Sequence, residues 1–472
     1  MNKTRVAFVT PGGLPLSAAC PPLNLGYLAS FLKKHLPEVD VKLFDGVIGQ
    51  DVKNLLKNFS PHIVGVTATT PQALAAYELG EWIKQNLPNS YRVIGGVHAS
   101  IMPTEASEYY DSVVVGEGEL AILDIVRRLQ ANDPPPKIIE GQYINDLDVI
   151  PSPAFNLMDI ETYLKCEQAY PFGIKNPRTG YLMTSRGCPY RCVFCWNSLR
   201  RVPPRYFSAK RVVDEVQYFI DHYHVNSIFF YDDEFVINKK RLKEIAVMFK
   251  ETGIDRKIVW GCQARATTLD VSTLKLMKAM GCRLVSVGFE SGSQKILDIL
   301  KNNTVKLEDN IRAIENAKKV GVTLGGSFIY GMPDETKEEM VETSSFFEKY
   351  EDLAFVAVNV LIPYPGTKIW EKCREENLIP EKLDYRKLVL TSKPKDTYIV
   401  CNTMSLNKFN QFMMDVQRTA YFLTKIRLLF RESGSSLKDY GKLFMLPLFW
   451  YMLVFHPLLI LKQLRKALCE AD

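Results

Sequence analysis

The chain has 472 residues, 47% hydrophobic and 24% charged, which is ordinary globular usage and leaves room for about two to four domains. That excludes a single small module and the disordered, collagenous and low-complexity classes. Lys and Arg number 59 against 53 Asp and Glu, a formal charge of +6, too thin a surplus to argue for nucleic acid without a clustered basic face.

From residue 5 to about 129, short β-rich runs alternate with helical patterns, the sequence form of a parallel sheet covered on both faces. Strands are predicted at 5–9, 39–44, 63–67, 91–94 and 112–115, and helices at 25–35, 52–58, 72–86 and 119–129. This is a doubly wound, Rossmann-like domain, assigned to 1–135. Ligands in such sheets sit beyond the carboxyl ends of the strands. Those ends carry Pro11-Gly12-Gly13, Asp45-Gly46, Thr67-Ala68-Thr69-Thr70, Gly95-Gly96-Val97-His98 and Gly116-Glu117-Gly118-Glu119. Glycine and small hydroxyl residues there let a large flat ligand approach the backbone. The apolar run Val6–Val9 is too short for a signal-peptide core, and ten cysteines are too sparse for a secreted disulfide scaffold, so a reducing, cytoplasmic compartment is expected.

Two proline-rich stretches, Asp133-Pro134-Pro135-Pro136 and Ile150-Pro151-Ser152-Pro153, bracket a segment with little periodicity, expected as a linker over 136–177. Alternation then resumes, with strands predicted at 181–185, 227–231, 258–261, 284–289, 323–330 and 355–361. Helical patterns at 209–223, 239–252, 270–280, 307–320 and 337–349 separate them. Six βα units suggest a partial (β/α) barrel over 178–378, with chemistry at the strand carboxyl ends. The remainder, 379–472, reads mainly as helices. Its run 443–461 has no acidic or basic side chain apart from His456 and lies between Lys442 and Lys462. That is enough to cross hydrocarbon, which takes roughly 20 residues, although Pro447 and Pro457 interrupt it. The alternatives are peripheral contact with an anionic membrane and a helix pair packed on the barrel.

Three of the cysteines stand in one short loop after the first barrel strand, Cys188-Pro189-Tyr190-Arg191-Cys192-Val193-Phe194-Cys195. Three thiolates so close can take three corners of a cubane cluster and leave the fourth iron open, whereas structural zinc normally takes four protein ligands. This C-x3-C-x2-C run resembles the signature of the radical S-adenosylmethionine (radical SAM) superfamily. The resemblance makes Cys188, Cys192 and Cys195 the ligands of a [4Fe-4S] cluster. It places the SAM methionine amine near Tyr231 and Asp232, its carboxylate near Arg265, its ribose at Glu290 and Ser291, and its adenine on the backbone at Tyr330 and Gly331. Asp334-Glu335-Thr336 is read only as the opening of the next helix. In that superfamily one electron from the cluster cleaves SAM to methionine and a 5′-deoxyadenosyl radical, which abstracts a substrate hydrogen.

The first domain adds a second resemblance. Pro21-Pro22-Leu23-Asn24-Leu25-Gly26-Tyr27-Leu28, Gly65-Val66-Thr67, Gly95-Gly96-Val97-His98 and Val115-Gly116-Glu117-Gly118-Glu119 together are similar to the cobalamin-binding domain that precedes the barrel in B12-dependent radical SAM enzymes. The resemblance implies cobalamin contacts at Thr67, Gly95, Gly96, Gly116 and Glu117. His98 either touches the corrin or is a satisfied loop histidine. Val47 stands where a histidine-ligated cobalamin protein has histidine, in Asp45-Gly46-Val47-Ile48-Gly49. The lower face of the corrin then has no protein imidazole from that loop, or the domain has lost the corrinoid and only shapes the site. The other cysteines read as small apolar residues.

The expected function is cobalamin-dependent methylation of an unactivated carbon in a hydrophobic small molecule: an isoprenoid or lipid, a tetrapyrrole or another natural product. A flavodoxin or ferredoxin would donate the electron. A cobalamin-using cyclase or rearrangement enzyme and a non-catalytic iron–sulfur protein are the alternatives.

Overall fold

The computed structural model describes residues 3–16, 20–165, 172–198, 202–350, 352–389, 395, 397–433 and 452. Its first sheet contains β1 (Arg5–Thr10), β2 (Asp40–Asp45), β3 (Ile63–Thr67), β4 (Tyr91–Gly95), β5 (Ser112–Val115) and β6 (Ile138–Glu140), all parallel, in the order β2-β1-β3-β4-β5-β6. The order reverses between β1 and β3, the topological position at which doubly wound sheets open a crevice. β1 is buried on both faces. Val6 and Phe8 pack with the helices Leu23–His35 and Glu119–Gln130, while Ala7 and Val9 pack with Val52–Phe59 and Ala73–Asn86.

β6 corrects the expected boundary at 135. It follows the three prolines, pairs with β5, and is continued by a 2.8 Å bond from Gly141 N to Val115 O. A three-residue edge strand, mostly exposed, leaves no periodicity to read.

The second sheet begins with β7 (Thr179–Leu182). A short antiparallel pair follows, β8 (Ser185–Arg186) with β9 (Arg205–Tyr206). The sheet then continues through β10 (Ser227–Phe230), β11 (Val259–Ala264), β12 (Cys282–Glu290), β13 (Thr323–Tyr330) and β14 (Leu353–Val360). Its six strands lie in sequence order and are all parallel, as in a partial barrel. The intervening helices begin where side chains cap them. Ser208 accepts from Arg211 N at 3.2 Å, Asp270 from Thr273 N at 2.8 Å, and Thr336 with Glu339 forms a capping box.

A long helix, Leu406–Ser433, lies against β14. Thr424 Oγ1 accepts from Val356 N at 3.0 Å, and Arg427 donates to Phe347 O at 2.9 Å. The apolar run 443–461 falls outside the described residues except for Met452. Among the described residues no helix is long and apolar enough to cross a membrane.

Candidate active site

The two sheets meet at their carboxyl ends around a cavity of about 400 Å³. The first domain contributes Asn24 and the strand-end residues Thr67, Gly95, Gly96, Gly116 and Glu117, and the barrel contributes Arg186, Cys188, Trp196, Asn197, Tyr231 and Asp233. Asn24 Nδ2 donates to Thr67 Oγ1 at 2.8 Å, tying the first helix to β3. Gly96 has φ +89°, and a Cβ there would stand 2.7 Å from Thr67 Oγ1. Only glycine gives both that backbone angle and that close approach.

His98 does not reach the cavity. It is fully buried, hydrogen-bonded through Nε2 to the Tyr77 hydroxyl at 2.8 Å, with its ring edge-on to Tyr385 at 4.8 Å. Burial pushes its pKa down to about 4, so it is neutral. Its Nε2 is thus engaged by the protein, while Nδ1 is buried without a hydrogen-bond partner among the described residues. Glu117 lies on the cavity wall, yet both its carboxylate oxygens are engaged by arginines of the barrel.

The cysteine loop leaves the barrel after β8 and returns at β9, where Arg186 faces Arg205. Val193 N donates to Leu300 O at 3.0 Å and holds the middle of the loop. All three thiols are half-buried. Burial, and then the neighbouring thiolates and Asp233, push Cys188 up to about 11 and Cys195 up to about 12. Thiols that oppose one another's ionisation are a donor set that a positively charged iron core ionises. Among the described residues no three His, Cys, Asp or Glu side chains converge as a single metal ion requires.

The expected SAM contacts fall into two groups. Arg265 and Glu290 gather beside the loop. The Arg265 guanidinium lies 3.8 Å from the Tyr190 ring, and Glu290, at φ +64°, accepts from Lys301 Nζ at 2.8 Å. Lys301 itself stands 5.8 Å over the Phe194 ring, and nothing in the sequence reading marked it. Tyr231 lines the cavity. In the other group the side chains are spent on the barrel wall. Asp232 accepts from Thr184 N, Thr184 Oγ1 and Ser185 Oγ, Ser291 bonds Thr343 Oγ1 at 2.9 Å, and the Tyr330 hydroxyl bonds Ser344 Oγ at 3.0 Å. The cavity-facing carboxylate at this strand end is Asp233, which Asn197 bonds.

Gly331 has φ +83° and would bring a Cβ to 2.6 Å from the Phe409 ring. Its N–H and that of Met332 donate to Glu335 Oε2 at 2.7 and 3.0 Å. Thr336 opens the next helix, and Glu335 reaches backward to pin the end of β13. Burial pushes the Glu335 carboxyl from 4.5 up to about 7. Between those values the folded chain holds a proton that the unfolded chain releases. Its stabilising contribution is therefore complete below the unfolded pKa and lost as pH rises through the folded one. Glu335→Gln is expected to remove that loss, so that anaerobic thermal melts favour the variant progressively over the native chain between about pH 5 and about pH 8. A native-minus-variant difference independent of pH would refute the assignment.

A parallel-sheet domain with a glycine-lined strand-end wall, facing a barrel loop of three thiols across one cavity, defines a B12-dependent radical SAM enzyme. Residues 182–347 match the radical SAM superfamily and residues 13–126 the B12 binding domain. The chain is 35% identical over 386 residues to PH0819, an uncharacterized methyltransferase of Pyrococcus horikoshii, covering 76% of this chain and 80% of that protein. It is 28% identical to the anaerobic magnesium-protoporphyrin IX monomethyl ester cyclase of Cereibacter sphaeroides, covering 83% of this chain and 67% of the cyclase. The solved structure of OxsB, a cobalamin-dependent S-adenosylmethionine radical enzyme with aqua-cobalamin and SAM bound, shares the fold at TM-score 0.72 and 17% identity, covering 97% of this chain and 72% of that one. The chain belongs to the cobalamin-binding radical SAM family, whose cofactors are a [4Fe-4S] cluster, S-adenosylmethionine and cobalamin.

Proposed function

We propose that the enzyme transfers a methyl group to an unactivated carbon of a hydrophobic small molecule. The observation that carries this reading is the single cavity bounded by both the first domain's strand ends and Cys188 of the cluster loop. When bound, the cofactors supply a hydrogen-abstracting radical on one side and a transferable methyl group on the other. The chain's part is to hold both beside one substrate carbon and to keep water out. Leu28, Val66, Val93, Val114 and Ile122 give the cavity an apolar wall. Cys188, Cys192 and Cys195 would hold the cluster, Arg265 and Glu290 would orient SAM, and Thr67, Gly95, Gly96 and Gly116 would face the corrin. A flavodoxin or ferredoxin would deliver the electron.

Val47 supports a corrin without a lower-face protein imidazole. Its turn is held by Asp45, which accepts from Val47 N at 3.0 Å and from Tyr163 OH at 2.6 Å, and His98 is bonded to Tyr77. The test is anaerobic reconstitution with iron, sulfide and hydroxocobalamin, followed by turnover with methyl-labelled SAM. Expected are stoichiometric cobalt, a Co(II) paramagnetic resonance spectrum without nitrogen splitting from a protein imidazole, and label in the product carbon skeleton. Unlabelled product would favour the cyclase reading, for which the 28% identical cyclase is the specific support.

Peripheral membrane contact through 443–461 belongs to the same reading, because a lipid-like substrate would be met where it dissolves. The native chain is expected to float with anionic liposomes and the Phe449→Glu, Leu453→Glu variant to stay behind. Equal flotation of both would remove the membrane contact.

A further inference from the structure

The cysteine loop is an excursion closed at its neck by the antiparallel pair of β8 and β9, in which Ser185 faces Tyr206 and Arg186 faces Arg205. Like charges directly opposite one another in such a pair repel. These two guanidiniums are only 13% and 10% exposed, so water screens little of the repulsion. Uncompensated, that repulsion would work against the pairing at the neck.

The first domain supplies the charge that closes it. Glu117, on the turn after β5, reaches both arginines. Oε2 lies 3.5 Å from Arg186 Nη1 and accepts from Arg205 Nη1 at 3.0 Å, and Oε1 accepts from Arg205 Nη2. Glu119 adds a 2.6 Å bond to Arg186 Nη2, so two carboxylates balance two guanidiniums. Each guanidinium is backed by an aromatic ring from outside the barrel. Tyr27 lies 5.1 Å from Arg186 and Tyr143 5.2 Å from Arg205. The backbone of Glu117 is fixed as well, because Gly141 packs so close that a Cβ there would come within 2.0 Å of the Glu117 carbonyl oxygen. Glu119 is bonded to Arg186, whereas the carboxylate on Arg205 is that of Glu117.

We propose that Glu117 is a positioning residue, by which the docked cobalamin domain locks the neck of the cluster loop and so governs retention of the iron–sulfur cluster. Its carboxylate is spent on Arg186 and Arg205 and serves no corrin contact. One residue of the first domain thereby couples the two cofactor sites, because the loop that carries Cys188, Cys192 and Cys195 stays closed only while Glu117 sits between the arginines. This rests on the reading that those cysteines hold the cluster.

The experiment uses the holoprotein, reconstituted with iron, sulfide and hydroxocobalamin and challenged anaerobically with a ferrous chelator while the cluster's charge-transfer absorbance is followed. Glu117→Gln is expected to speed iron loss at least about tenfold with cobalamin content unchanged, a size ordinary for charges in direct contact. The double variant Glu117→Gln, Arg205→Gln is expected to return to within about threefold of the native rate, since one of the two opposed charges is gone. That rescue is what a corrin contact or a general loss of stability would not produce. Should Glu117→Gln fail to fold, Glu117→Asp, one methylene too short to span both guanidiniums, is expected to give an intermediate rate. A native rate in the single variant overturns the proposal, as does a double variant no slower than the single. So does cobalamin loss with native iron release, which would make Glu117 a corrin contact. A native chain that takes up no iron instead fails the cluster assignment itself.

Discussion

Replacing any one of Cys188, Cys192 or Cys195 by alanine is expected to drop cluster iron below about one tenth of the native content and SAM cleavage by at least about 10³-fold. The reason is ligand count. A cubane held by three thiolates keeps one iron open for SAM, and a loop reduced to two leaves a second iron without a protein ligand. Among the described residues the nearby carboxylates are already engaged, since Asp233 bonds Asn197 and Glu234 accepts from Arg265 N at 2.7 Å. Cys262 and Cys282 are the controls. They are buried in β11 and β12, away from the loop, and their alanine variants are expected to keep native iron and native cleavage. Iron and sulfide analysis with quantification of 5′-deoxyadenosine separates the cases. Full cluster content in any loop variant would sink the ligand assignment.

What was legible in the sequence is what repeats locally. Strands buried on both faces read as short β-branched runs and their helices as apolar stripes, so β3, β5 and β13 and the helices at 209–223, 239–252, 307–320 and 337–349 fall where periodicity puts them. The cysteine loop was legible because its spacing is itself the chemistry. Long-range polar pairing was not legible. Glu119 and Arg186 are 67 residues apart, and Glu117 and Arg205 are 88 apart. No local pattern distinguishes a carboxylate that faces a ligand from one that binds an arginine of another domain. The family resemblance put Asp232 and Glu117 at ligands, and left His98 open between a corrin contact and a loop histidine; each has protein partners at its strand end. Glu335 carried the opposite error. It reads as a helix opener from its neighbours, and only the turn at Gly331 brings two backbone N–H groups onto its carboxylate.

Asp232→Ala is expected to cost about 3–5 kcal/mol, the range for breaking a buried ion pair from one side. Asp232 is 1% exposed and gathers Thr184 N and Oγ1 at 2.5 Å and Ser185 Oγ at 2.8 Å, with Arg241 Nη2 at 3.6 Å. Arg241 is 5% exposed and closes the circuit, donating to Thr184 O at 2.5 Å and Thr184 Oγ1 at 2.9 Å. Without the carboxylate, Arg241 remains buried with its charge uncompensated, and the Thr184 amide loses its acceptor. Thr184 lies between β7 and β8 and Ser185 opens β8, so the damage falls where the chain enters the cluster loop. For a domain of about 200 residues, at about 2–4 °C per kcal/mol, the anaerobic thermal midpoint should fall by roughly 6–20 °C. If Asp232 instead served only to hold the SAM amine, the apoprotein would melt at the native temperature and SAM affinity alone would fall. The double variant Asp232→Ala, Arg241→Met separates the two roles further. It should be less destabilised than Asp232→Ala, because removing the stranded guanidinium removes most of the penalty, whereas a ligand contact gains nothing from the second change.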